Sequence, residues 1–302
     1  MTENQCDSTR EFKEQFARQI ASRPSEVKIV LDGQYKKAYE LLDDAVSARL
    51  TPIIVGPPGV GKSLLARKFA YDTQRPFYEL FFDELMSPSH LIGTFNPAVL
   101  VSKGYCMEAF EPGPLLLAMV GGGVFVAQEL NRASEFCQNS FLEPLEEKTL
   151  YIPRLGKIRA NDNFVFIAVA NPYEFSGAHR ISEALRDRLH VWISLSYPTK
   201  ETELKIIAAN TPENKLDPET MQKIYNIIDQ SRQSEEFSKL VSVRTGISIA
   251  RIASRYAEMD LLTDSVLVDI AYQSLLGSVT ERNARWKENK LKGLIRKSLT
   301  CK

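Results

Sequence analysis

The sequence predicts a three-layer α/β domain built on a parallel, five-stranded sheet, followed by an all-α domain. Three observations carry this prediction. Residues 56–63 read Gly-Pro-Pro-Gly-Val-Gly-Lys-Ser, a loop able to wrap phosphates, set between an apolar run at 51–55 and an amphipathic run at 63–71. Further strand-like runs at 75–82, 124–127, 163–170 and 190–195 alternate with helical or glycine-rich stretches. Beyond Tyr197-Pro198 only helical periodicity remains. Strands alternating with helices give a parallel sheet covered on both faces, so its strands can be apolar throughout. The divisions drawn are 1–24, an N-terminal helical extension; 25–198, the α/β core; and 199–302, a helical lid with a basic C-terminal helix.

Each element follows from local chemistry. Residues 8–22 read as a short amphipathic helix opened by Ser8 or Thr9, and 35–48 as a helix leading into the first strand. After the strand at 75–82, prolines and glycines from Pro88 onward mark an irregular stretch. Within it, 98–102 and 105–110 flank Lys103-Gly104 and predict a β-hairpin. A short helix at 114–120 stops at three consecutive glycines, and the strand at 124–127 ends in Gln128-Glu129. Residues 135–147 are helical, bent by Pro144. A second hairpin, 149–152 with 157–159, turns around Pro153 and Gly156. The run 163–170 predicts a strand buried on both faces, 181–188 a short helix, and 190–195 the fifth strand. Helices follow at 199–209, 217–232, 245–258, 264–278 and 280–297; Asp217-Pro218 supplies a cap acceptor and then proline at the first helical position.

Composition narrows the function classes. The 302 residues are 44% hydrophobic and 25% charged, with 38 basic side chains against 38 acidic. That balance argues against a protein coated in nucleic acid. No run approaches the ~20 apolar residues that span a bilayer, and the first residues lack the apolar centre of a secretory signal. Cys6, Cys106, Cys137 and Cys301 are scattered, and the three histidines have no ligand spacing. Reduced cysteines, no structural zinc and a cytoplasmic location are expected.

The loop carries the chemistry. Its glycines, Gly56, Gly59 and Gly61, let the backbone turn its N–H groups toward an anion, with Pro57, Pro58 and Val60 between them. Lys62 is placed to reach the β- and γ-phosphates, Ser63 to bind Mg²⁺, and Leu64 continues the helix that faces the same anion. Hydrolysis also needs a carboxylate near the metal, a group orienting water, and positive charge for the transition state. Glu129, at the end of a buried strand, suits the water-polarising role. Gln128 stands where a metal-supporting Asp is ordinary; it accepts a hydrogen bond but brings no charge, which predicts weakened Mg²⁺ retention and slow turnover, with Asp at 128 raising the rate. Asn171 ends another apolar strand and faces the γ-phosphate side. Arg186 and Arg188 point to different faces of a short helix, one able to reach a nucleotide in an adjacent subunit, and Arg244 opens a lid helix.

Together these segments resemble the AAA+ ATPases, a branch of the P-loop NTPases, and most closely the MoxR group, over residues 30–260. Gly56 to Ser63 matches the Walker A motif, and Gln128-Glu129-Leu-Asn-Arg-Ala resembles the Walker B signature with its first acid replaced. Asn171 falls at sensor 1, Arg188 (with Arg186 second) at the arginine finger, and Arg244 at sensor 2. The two hairpins match the insertions shared with Mcm helicases and magnesium chelatases. The resemblance implies ATP or ADP with Mg²⁺, a homo-oligomeric ring, usually a hexamer, and chaperone-like remodelling of a client, often one with a von Willebrand factor A domain. Two alternatives stand beside it. Gln128 favours a nucleotide-binding scaffold with little hydrolysis. The segment 281–302, with eight basic residues against two acidic, admits an Mcm-like association with nucleic acid, which would be strongly salt-dependent.

Overall fold

The computed structural model describes residues 16, 24–171, 181–211, 216–234, 241–278 and 288–300. The helix expected over 8–22 lies outside them, except for Phe16, whose ring is buried in the α/β core. The chain forms two compact units: Met1–Val27, Lys36–Gly56 and Lys62–Leu195 in one; Lys28–Tyr35, Pro57–Gly61 and Ser196–Lys302 in the other.

In the first unit, α1 (Gln34–Ser47) leads to β1 (Pro52–Val55), then α2 (Lys62–Asp72) and β2 (Phe77–Phe81). An insertion follows: α3 (Pro88–Ile92), β3 (Gly93–Phe95), α4 (Pro97–Lys103) and β4 (Phe110–Pro112). Next come α5 (Pro114–Gly121), β5 (Val124–Gln128), α6 (Glu135–Gln138), α7 (Leu142–Glu146), and the strands β6 (Thr149–Ile152) and β7 (Gly156–Arg159). β8 (Val165–Ala170), α8 (Glu183–Arg188) and β9 (Val191–Ser194) complete it.

The main sheet has five parallel strands in the order β2-β5-β8-β1-β9. Every residue of β5 and β8 is buried, which is why both read as unbroken apolar runs. Phe125, Phe141 and Phe166 meet beneath the sheet, with ring centroids 5.0 Å apart for Phe141–Phe166 and 5.8 Å for Phe125–Phe166. This packing fixes the carboxyl edge of the sheet, where Gly56, Gln128 and Asn171 emerge.

Two expected elements differ. The hairpin over 98–110 is absent; 97–103 is helical, and the antiparallel pair is Gly93–Phe95 with Phe110–Pro112. Asn96 accepts a hydrogen bond from the Ala98 N–H, Pro97 starts the helix and Gly104 ends it, so capping overrides the β-branched Val99 and Val101. The helix over 135–147 is broken at residues 139–141 by a 3₁₀ turn, upstream of Pro144. The hairpin of β6 and β7 forms as expected, Thr149 opposite Arg159.

The second unit is helical: α9 (Lys200–Asn210), α10 (Pro218–Gln233), α11 (Val243–Glu258), α12 (Asp264–Leu275) and α13 (Glu288–Thr300). Ile207, Ile224, Ile228, Ile249, Leu267 and Ile295 share its core. Thr199, Asp217 and Thr263 cap three of the helices through side-chain oxygens. A buried ion pair crosses this core. Glu203 is 0% exposed and accepts two hydrogen bonds from Arg232, at 2.6 and 2.7 Å. Arg232 Nε also donates to the Val241 carbonyl at 3.0 Å, and its guanidinium lies 4.2 Å from the Tyr197 ring centroid. On the basic α13, Lys292 pairs with Asp269 and Glu288, each at 2.8 Å. No described helix is long and apolar enough to cross a membrane.

Candidate functional site

The loop after β1 is shaped by close backbone approach. Gly56 has φ 156, and a Cβ there would stand 2.3 Å from the Leu195 carbonyl oxygen, so only glycine fits. Gly59 has φ 75, and a Cβ there would fall 2.5 Å from Cβ of Ser242 and 3.7 Å from Cγ of Arg244. The start of α11, which carries the exposed Arg244, therefore lies against the loop's own segment 57–61 within the second unit. Tyr35 stands beside Gly61, its ring 3.8 Å from a notional Cβ there. Burial, then the Glu203 carboxylate, push its hydroxyl up to about 12, so it remains a neutral phenol. Pro57 and Pro58 are half-buried, Val60 is buried, and Leu64 is exposed on the first turn of α2. Lys62 Nζ donates to the Gly56 carbonyl at 2.7 Å, folding the ammonium back over the loop.

Beside the loop runs a polar chain across three elements. The Ser63 hydroxyl donates to Gln128 Oε1 at 2.8 Å. Gln128 is buried, and its Nε2 donates to Glu79 Oε1 on β2, also at 2.8 Å. Glu79 Oε2 pairs with Arg67 of α2 at 2.8 Å. An ionised carboxylate only accepts, so the amide nitrogen must face Glu79 and the amide oxygen Ser63. Ser63 and Gln128, assigned together from sequence, are thus in direct contact.

The next residue, Glu129, adopts φ 55 and ψ 40, the left-handed region, as the chain leaves β5. Its carboxylate pairs with Arg132 at 3.0 Å. The buried Asn131 then reaches across to β8. Its Nδ2 donates to the Asn171 carbonyl at 3.2 Å, and its Oδ1 accepts from the Asn171 N–H at 3.3 Å. Glu129 and Asn171 therefore emerge from adjacent strands, clasped through Asn131.

On α8 the two arginines separate as expected. Arg188 turns inward, 2.9 Å from Glu146, and donates to the Ala184 carbonyl. Arg186 is exposed, with its guanidinium 5.3 Å from the Trp192 ring centroid. Sequence reasoning missed Glu79, Arg67 and Asn131. Glu79 did leave a trace: it is the one charged residue in Phe-Tyr-Glu-Leu-Phe.

Residues 52–189 match the AAA domain of the dynein-related subfamily. Chaperone MoxR1 of Mycobacterium tuberculosis is 30% identical over 183 residues, 60% of this chain and 45% of that protein. The gas vesicle ATPase GvpN of Haloferax mediterranei is 28% identical over 247 residues, 76% of this chain and 69% of the relative. The α/β core thus carries an AAA domain, similar to those of the MoxR and GvpN ATPases. Among solved structures, NtrX of Brucella abortus, crystallised with ATP, shares the AAA+ fold at a TM-score of 0.55 and 17% identity, covering 90% of this chain and 62% of NtrX. The segments that resemble Walker A and Walker B in the sequence are the loop between β1 and α2 and the end of β5.

Proposed function

We propose that the protein binds ATP and ADP on residues 56–64, hydrolyses ATP to ADP and phosphate, and uses that cycle, as a ring of identical subunits, to remodel or assemble a partner protein. The observation that carries this reading is the contact between the loop's Ser63 and Gln128 at the tip of β5. It joins the phosphate-binding end of α2 to the strand that presents Glu129. Lys62 contacts the β- and γ-phosphates. Glu129 polarises the attacking water, Asn171 orients it, and Arg244 contacts the nucleotide's phosphates. Arg188, with Arg186 second, supplies positive charge to the nucleotide of an adjacent subunit; Arg188 must first leave Glu146, whereas Arg186 is already exposed.

The donor set fits Mg²⁺: the Ser63 hydroxyl, donating its hydrogen bond to Gln128 Oε1, keeps lone pairs for a cation, and Gln128 would hold it through water. Bound there, the ion would neutralise charge on the phosphate oxygens.

The client surface falls on the two insertions. Val101 of α4 is 91% exposed, Tyr105 60% and Tyr151 60%, and Arg154 stacks on Tyr105 at 5.2 Å, tying the insertions together. Exposed apolar groups on a braced projection suit contact with another protein. The relatives' names, a chaperone and a gas vesicle ATPase, favour a protein assembly as client. A von Willebrand factor A domain protein is the client class the family implies.

A second reading rests on one observation, the neutral side chain at 128: nucleotide held as a structural ligand without turnover. Steady-state phosphate release at saturating Mg²⁺ separates the two. For the binding itself, Lys62→Ala should abolish equilibrium binding of fluorescent ADP; unchanged affinity would overturn both readings.

A further inference from the structure

The neutral amide at 128 does not stand alone. Its nitrogen donates a hydrogen bond to a carboxylate on the neighbouring strand, and its oxygen accepts one from the Ser63 hydroxyl. We propose that Glu79 is a positioning residue for the metal side of the nucleotide site: it locks the Gln128 amide with its oxygen toward Ser63. The inference rests on the nucleotide reading above.

Three features support it. First, an amide left to itself has two orientations, and the wrong one would aim an N–H donor at Ser63 and at a cation. Glu79 removes that choice because its oxygens only accept. Second, a charge-assisted bond to one end of the amide polarises the other end, so Oε1 becomes a better acceptor. Third, Arg67 grips the far oxygen of Glu79 at 2.8 Å, which fixes the carboxylate while leaving Oε1 to the amide.

The same geometry explains why glutamine is compatible here and aspartate alone is not. Aspartate at 128 is one methylene shorter than glutamine and has no N–H, so it would lose the hydrogen bond that Gln128 gives to Glu79. An isolated Gln128→Asp change, expected from sequence to raise the rate, would therefore break this positioning bond. Exchanging the two groups, Glu79→Gln together with Gln128→Glu, keeps one amide and one carboxylate of the same length in contact and moves the charge next to Ser63.

The test is a double-mutant cycle on Mn²⁺ affinity in the full chain with ADP bound, read from the paramagnetic resonance of free Mn²⁺. ADP affinity without metal, measured in parallel, reports the nucleotide site separately. Glu79→Gln should weaken Mn²⁺ binding about tenfold and leave metal-free ADP binding unchanged. The exchanged double variant should bind Mn²⁺ about tenfold more tightly than the two single changes added together allow. Additive effects, with ADP binding intact, would overturn the role of Glu79 and leave the nucleotide reading standing. Failure of the unaltered protein to bind ADP would sink both. Glu79→Gln is nearly isosteric and decides by itself: unchanged Mn²⁺ affinity refutes the proposal even if the Gln128 variants do not fold.

Discussion

Glu129 holds a left-handed backbone conformation at the tip of β5. For a residue with a Cβ that conformation costs about 1–2 kcal/mol. Arg49, Gln74, Lys148, Arg154 and Asp260 also have positive φ, but Glu129 alone among them sits at the tip of a buried sheet strand, where such strain often serves a site. Glu129→Gln should therefore retain ATP affinity and lower phosphate release by on the order of 100-fold or more, the usual scale for losing a general base. Filter binding and steady-state phosphate assays check this, and an unchanged rate would remove Glu129 from the reaction. The sequence showed Glu129, Gln128 and Ser63 because they sit in local patterns around strand ends. It did not show that Glu79 and Gln128 share a hydrogen bond. The strand register sets Phe81 opposite Gln128 and Glu79 opposite Val126, so the contact runs diagonally and leaves no mark in linear spacing.

At the scale of elements, the five strands and the first four C-terminal helices were legible from apolar runs, periodicity and capping residues, while of the helix expected over 280–297 only the part from Glu288 lies within the described residues. The segment 97–103 was not. Its valines suggested a strand, yet Asn96-Pro97 at one end and Gly104 at the other specify a helix, and boundary chemistry outweighed side-chain shape. The pair Glu203–Arg232 was equally hidden, since it joins α9 to α10 across 29 positions. Through Arg232 Nε it also holds Val241, two residues before α11 begins. Arg232→Ala would leave a fully buried carboxylate without its partner, so a loss of about 3–5 kcal/mol is expected in denaturant unfolding. A loss under about 1 kcal/mol would mean that the Glu203 charge is not buried as described.

For the whole molecule, the proposed ring makes the broadest prediction. Two arginines on one short helix, one exposed and one held by Glu146, are what a subunit would offer to its neighbour's nucleotide. Light scattering should show a multiple of the single-chain mass with ATP, and Arg186→Ala with Arg188→Ala should cut hydrolysis while sparing nucleotide binding to the isolated subunit. A single-chain mass with ATP, with ADP and without nucleotide would count against the ring. The overall plan was readable from one loop and a change of periodicity at Tyr197, because both follow from local chemistry; cross-chain partners do not. The Asn131 side chain, bonded to both the carbonyl and the N–H of Asn171, has a mechanical consequence. It rivets the outlets of two neighbouring strands together, so that a displacement at Glu129, the carboxylate proposed to activate water, would be passed on to Asn171.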